Sequence, residues 1–356
     1  MLIMKKFIPI ITVLLLFLTG CSLSEGKKET PPTLKVGVVL PLTGDFSQLG
    51  QETLKGIQLA QQKLQQSGKA SIELIVEDDK SLNPVSATEA ANKLTNIDHV
   101  SIVLTLIIEE ARPIAPILSD NGIPLLVLWD SNQYLSESGP LVYSNGFSTE
   151  RSGEIMAEYA HYVLGLKNIA LVSHQDPWAN LINKSFSEKF VDLGGTLSLQ
   201  ENIPISENDF RTTLTKVKQN NSDGIYFPLI PPGNIDFLKQ VHEFNLNLPL
   251  MTGDTLLPTV ISESGKNVEG VIYTNNWTDE IPELTELYQQ TYGEKINDAI
   301  LVSFGYDGLQ KVIEAANPKN GNIIEGLNIL FGEKKRADRI QKLYTVKNGI
   351  AEEIKF

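Results

Sequence analysis

The sequence predicts an α/β protein of two doubly wound lobes, each a parallel sheet with helices on both faces. Three observations carry this. Short apolar, β-branched runs alternate with helical stretches of ten to fifteen residues. The connectors between them are short, as in βα units. The alternation then restarts near Glu150, giving two sets of units, each about the size of one domain.

The elements follow in order. Leu34–Leu40 is an apolar strand, and Glu52–Gln66 places Leu54, Ile57, Ala60 and Leu64 at helical spacing. Ile72–Val76 is a strand that runs into the acidic turn Glu77-Asp78-Asp79, expected to cap the helix Val85–Leu94. Val100–Ile107 is a strand, Ala111–Ser119 a helix and Leu125–Leu128 a strand. In the second half, helices are expected at Glu154–Leu164, Leu181–Leu193, Phe210–Val217 and Phe237–Phe244. Strands are expected at Ile169–Val172, Gly224–Ile230, Leu248–Met251 and Val271–Tyr273. Glu283–Tyr292 and Leu301–Ala316 are helices, and Lys342–Phe356 is a hairpin turned at Asn348-Gly349.

The first 32 residues read as targeting sequence rather than fold. Lys5 and Lys6 precede the apolar run Phe7–Leu18, which is shorter than the roughly 20 residues of a membrane span. Leu18-Thr19-Gly20-Cys21 then has the small-residue cleavage pattern that would leave Cys21 as a lipidated N-terminus. Residues 1–20 are therefore expected to be a signal peptide and 21–32, polar and Pro-ended, a lipidated tether. Cys21 is the 1 cysteine of the chain, so neither a disulfide nor a Cys-x-x-Cys redox pair can form within it.

Charge excludes other classes. A net charge of −13 and the lack of a basic run interleaved with aromatics argue against a nucleic-acid partner. No Gly-x-Gly-x-x-Gly follows a strand, and no Gly-x-Ser-x-Gly elbow or Walker-type Gly-Lys-Ser/Thr is present. His99, His161, His174 and His242 lack metal-ligand spacing and read as surface or polar-cap residues. Glu109-Glu110 reads as a helix start, where negative charge complements the dipole, rather than as an acid–base pair. No enzyme, cofactor or metal is expected.

Several segments, taken together, resemble the leucine/isoleucine/valine-binding protein family. They are Lys35–Gly44, Leu49-Gly50-Gln51, Glu73–Asp79, Ala87–Leu94, Ala115-Pro116-Ile117 with Gly122-Ile-Pro124, and Phe304–Val312. The resemblance covers nearly all of the chain beyond the tether. It implies the type I periplasmic-binding fold, with two lobes joined by three crossovers and closing on a ligand by hinge motion. By that likeness lobe one is 33–149 plus 280–330 and lobe two 150–279 plus 331–356. It further implies a monomeric, envelope-anchored receptor that hands a small molecule, an amino acid or similar, to ABC permease and ATPase subunits. A sensor feeding a membrane signalling partner, and a receptor for a planar amide or aromatic acid, are the alternatives.

At the implied site the sequence departs from the family. Where relatives carry Gly-Pro-x-x-Ser, this chain has Leu104–Ile108, which puts Leu106, Ile107 and Ile108 at the ligand and Ile108 in place of the carboxylate-binding serine. In Leu128–Gln133, Ser131 falls at a carboxylate-binding threonine, where it donates to an anion or caps a turn, and Trp129 replaces a small residue. Asp254 aligns with the ammonium-binding acid, one methylene shorter, and Trp178 with a tyrosine that closes over the ligand. Trp277 ends the strand Val271–Tyr273, so the 3 tryptophans are expected around one aromatic-lined pocket.

Overall fold

The computed structural model describes residues 33–67, 71–131, 135, 137–275, 282–317, 322–336 and 341–356. Cys21, the signal segment, the tether and Trp277 lie outside the described residues, and so does the side chain of Ser131. The first sheet contains β1 (Thr33–Leu40), β2 (Ser71–Asp78), β3 (Ile102–Thr105), β4 (Leu125–Val127) and β6 (Val142–Ser144). Its order is β2-β1-β3-β4-β6, and every pairing is parallel. β5 (Asp130–Ser131) and β7 (Phe147–Ser148) form a separate two-stranded ribbon.

The second sheet has the order β14-β13-β12-β11-β10-β8-β9. Its parallel part is β8 (Asn168–His174), β9 (Thr196–Ile203), β10 (Gly224–Tyr226), β11 (Leu250–Thr252) and β12 (Ile272–Asn275). The hairpin of β13 (Lys342–Lys347) and β14 (Ile350–Ile354) adds its antiparallel edge, turning at Asn348-Gly349.

Burial on both faces explains the uninterrupted apolar runs. Val36, Val38 and Leu40 face one hydrophobic cluster while Val39 faces another, so neither side of β1 meets water. Both faces are covered because helices pack on each.

Helix α1 (Ser47–Ser67) meets a helix far away in sequence, Ala299–Ala315, along a glycine contact. A Cβ on Gly56 would lie 2.0 Å from the Val302 carbonyl oxygen, and one on Gly305 would lie 2.0 Å from that of Thr53. Only hydrogen fits there, which lets the two backbones touch.

The chain thus builds the first sheet, crosses to the second, returns to cover the first and crosses again to finish the second. That path makes three crossings, as the resemblance implies. Ser144 pairs with Lys335 and Arg336, which places these two residues against the first sheet.

Several elements escaped the sequence reading, among them the short strands β5, β6 and β7 and the helix Pro258–Ser264. β9 carries an open alternation (Leu197, Leu199) too polar to stand out, and Ile323–Phe331 forms a helix capped by Asn322 and Glu325. Two side-chain readings are also corrected. The helix Pro84–Lys93 is capped by Asn83 and not by the acidic turn. Asp78 instead accepts from Leu42 N, Thr43 N and Lys80 N, which pins the loop after β1 to the end of β2. His174 is fully buried rather than at the surface, with Nδ1 accepting from Ile230 N at 3.1 Å. Burial alone pushes its pKa down to about 4, which keeps the ring neutral.

Candidate functional site

Loops at the carboxyl ends of both parallel sheets converge on one cavity of about 320 Å³. From the first lobe come Phe46 and Leu49 after β1, Ser81 and Leu82 after β2, Ile107 and Glu109 after β3, and Trp129 and Asp130 after β4. From the second come Gln175 to Trp178 after β8, Ile205 after β9, Ile230 and Pro231 after β10, and Asp254 with Thr255 after β11. A larger hollow of about 660 Å³ shares Phe46, Gln175, Ile205 and Pro231 with it and forms an outer vestibule.

Local chain chemistry sets each polar group. Asp176 is the N-cap of the helix Pro177–Asp192: its Oδ1 accepts from Ala179 N at 2.8 Å, and Pro177 follows at the first helical position. Asp130 reaches from the end of β4 to accept from Ile108 N at 2.8 Å, satisfying one of the free amides that open the helix Ile108–Asp120. Glu110 in that first turn accepts from Leu106 N at 2.6 Å and Ile107 N at 3.1 Å. It therefore serves the turn, while its neighbour Glu109 faces the cavity.

Asp254 joins the lobes. Its Oδ2 accepts from Trp129 Nε1 and its Oδ1 from Trp178 Nε1, each at 3.1 Å. The first indole belongs to one lobe and the second to the other. Trp129 is braced from behind by Phe304, stacked at 5.8 Å and 22°. Trp178 is fixed by the glycine before Asp254: a Cβ on Gly253 would come within 2.8 Å of its ring.

The site is electrically one-sided. Burial, and then the charge of Asp176, push the Glu109 carboxyl up to about 7. Burial takes Asp176 up to about 6. Asp130 is held well above the usual carboxylate range by burial and by the charges of Glu109 and Asp254.

Of the residues singled out in the sequence, Ile107, Trp129, Trp178 and Asp254 are brought together on the cavity wall. Leu106 and Ile108 are not on it. Both are fully buried: Leu106 lies in the cluster that Val36, Val38 and Leu40 face, and Ile108, which opens the helix Ile108–Asp120, lies in the one that Val39 faces. Ser131 lies in β5 with its side chain outside the described residues, as is Trp277. The sequence reading missed Glu109, Asp130 and Asp176 as wall residues. Their position a residue or a few beyond an apolar strand was the available signal, but each also looked like an ordinary turn or helix-start residue.

With this geometry the comparisons fall into place. The family profile described as periplasmic binding protein matches residues 33–318. The chain belongs to this family. Periplasmic binding proteins are extracytoplasmic solute binders and not enzymes. A curated relative, Leu/Ile/Val-binding protein homolog 6 of Brucella suis biovar 1 (strain 1330), is 24% identical over 303 residues, covering 80% of this chain and 77% of the relative.

Among solved structures, the leucine binding protein LivK of Thermotoga maritima MSB8 superposes with a TM-score of 0.81 at 22% identity, covering 90% of this chain and 98% of that one. A solute binding protein of R. palustris in complex with 4-hydroxybenzoate superposes at 0.83 with 18% identity, covering 91% and 96%. At these identities the structural likeness speaks for the two-lobed fold. Among the described residues no helix is long and apolar enough to cross a membrane.

Proposed function

We propose that this periplasmic binding protein is the receptor of an ABC importer. A small nitrogenous metabolite of amino-acid size enters through the vestibule, settles between Trp129 and Trp178, and is released unchanged to a membrane permease. The observation that carries the reading is the cavity at the carboxyl ends of both sheets, walled by each lobe and latched through Asp254. In this reading the lobes move as units about the three connecting segments, and the Trp129–Asp254 bond forms on closure. The basic, apolar and Leu-Thr-Gly-Cys21 segments support a signal peptide and a lipid anchor at Cys21, with 21–32 as the tether.

A thermal-shift screen of amino acids, amides, amines and aromatic acids tests the reading. A true ligand at about 100 times its Kd adds about 2.7 kcal/mol and raises Tm. Small-angle scattering should then show contraction with the same compound. A ligand that raises Tm without contracting the molecule would remove hinge closure, and chemical turnover of that ligand would remove the receptor role.

A further inference from the structure

We propose that the interlobe cavity is built for a small organic cation with an apolar body, an amine or amidinium that carries no carboxylate. This rests on the solute-binding reading above and narrows it. The charged side chains on the cavity wall are Glu109, Asp130, Asp176 and Asp254, and no Lys, Arg or His is among the described lining residues. Asp176 is 5% exposed, and its Oδ2 accepts no hydrogen bond. A buried carboxylate oxygen without a partner is costly, and a cation brought to it would relieve that cost.

Each neutral side-chain donor group among the described wall residues already has an acceptor. Ser81 Oγ donates to Thr43 O, Thr255 Oγ1 to Leu229 O, Gln175 Nε2 to Asn202 O, and both indoles to Asp254. An incoming carboxylate would meet four acids and no free cationic donor. Ile108, at the start of the helix Ile108–Asp120, offers no hydroxyl and its side chain is in the core.

The vestibule repeats the pattern. Asp45, Glu207 and Asp236 line it, again with no basic residue among the described ones. Carboxylates along the whole approach attract cations and repel anions.

Inside, two indole walls favour cationic groups, and Phe46, Leu49, Ile107 and Leu257 offer apolar contact for the rest of the molecule. A metal ion fits less well: among the described residues no group of three or more acidic, His or Cys side chains is arranged to hold one. The raised carboxyls of Glu109 and Asp176 agree with this assignment, since an arriving cation would displace their protons. The groups that bear on this titration are Glu109, Asp130, Asp176 and Asp254, with Arg112 one turn along the helix from Glu109.

Calorimetry and thermal shift on the full-length protein can decide, using benzylamine and benzamidine as cations, benzyl alcohol as their neutral counterpart, leucine as zwitterion and 4-hydroxybenzoate as anion. The expected result is binding of the cations at least tenfold tighter than of benzyl alcohol, with protons released to the buffer. Asp176→Asn, nearly the same shape, should weaken the cations at least tenfold while the circular dichroism spectrum stays unchanged. If leucine or 4-hydroxybenzoate binds more tightly than either cation, and Trp129→Ala abolishes that binding, the cation assignment is overturned while the receptor reading stands. If no class binds and scattering shows no contraction with any of them, both are overturned.

Discussion

Replacing Trp129 by phenylalanine removes one hydrogen bond between the lobes and little else. The smaller ring can keep its stack on Phe304, now at 5.8 Å and 22° for the indole, so the first lobe stays packed. What disappears is the 3.1 Å donation from Nε1 to Asp254 Oδ2. A hydrogen bond to a charged group contributes about 1.5–3 kcal/mol. The loss falls on the closed form alone, because in the open form the partners face different lobes and water.

The closed-to-open ratio should therefore fall by roughly 10- to 150-fold, and ligand affinity should fall by the same factor where the open form dominates without ligand. Calorimetry with whichever solute the screen identifies should then give the weaker Kd; where the closed form instead dominates the ligand-free parent, the loss shows in small-angle scattering as a larger radius of gyration of the ligand-free variant. An unchanged radius together with a Kd within twofold of the parent would refute the idea that this bond latches the lobes.

Other substitutions probe separate parts of the argument. Gly56→Val should lower stability by more than the usual overpacking cost of about 1–3 kcal/mol, because the obstacle 2.0 Å away is backbone and cannot turn aside; chemical denaturation measures it. Glu109→Gln should flatten the pH dependence of stability. The folded carboxyl, near 7 against an ordinary 4.5, keeps its proton where the unfolded chain has lost it, so its contribution is complete below about 4.5 and is lost as pH rises to 7. Asp176 acts in the same direction up to about 6, while His174, depressed to about 4, acts oppositely as pH falls below 6.5. Thermal melts at pH 5 and 7 should show a drop smaller by roughly 1–3 kcal/mol in the variant. Cys21→Ser should release the protein from membranes, and retention in the membrane fraction after the substitution would end the anchoring proposal.

How much could be seen in advance depended on what each residue does locally. The strands of the first sheet were legible because helices cover both faces, so β1 reads as one apolar run from Val36 to Leu40. The edge strand β9 was not, since with one neighbour its residues Gln200 to Asn202 remain polar. Site residues divided by the kind of side chain. Trp129, Trp178 and Asp254 were legible because the family resemblance aligns them with ligand-binding positions, whereas Asp176 and Glu109 do the same work as any helix-opening acid until the fold brings the two helix starts together. Leu106 and Ile108 were misplaced because the chain passes from strand to helix here, sending Leu106 into one hydrophobic cluster and Ile108 into the other, and one sequence cannot say which neighbour faces the gap.

The glycine seam between Ser47–Ser67 and Ala299–Ala315 also bears on how the molecule is made. The amino-terminal lobe needs a helix that emerges only after nearly the entire second lobe has been synthesised. Until then its sheet has an uncovered side and cannot settle. Contacts this distant along the chain make folding slow. A chain slow to fold stays thread-like for longer, the form required of a polypeptide passed through a narrow membrane pore.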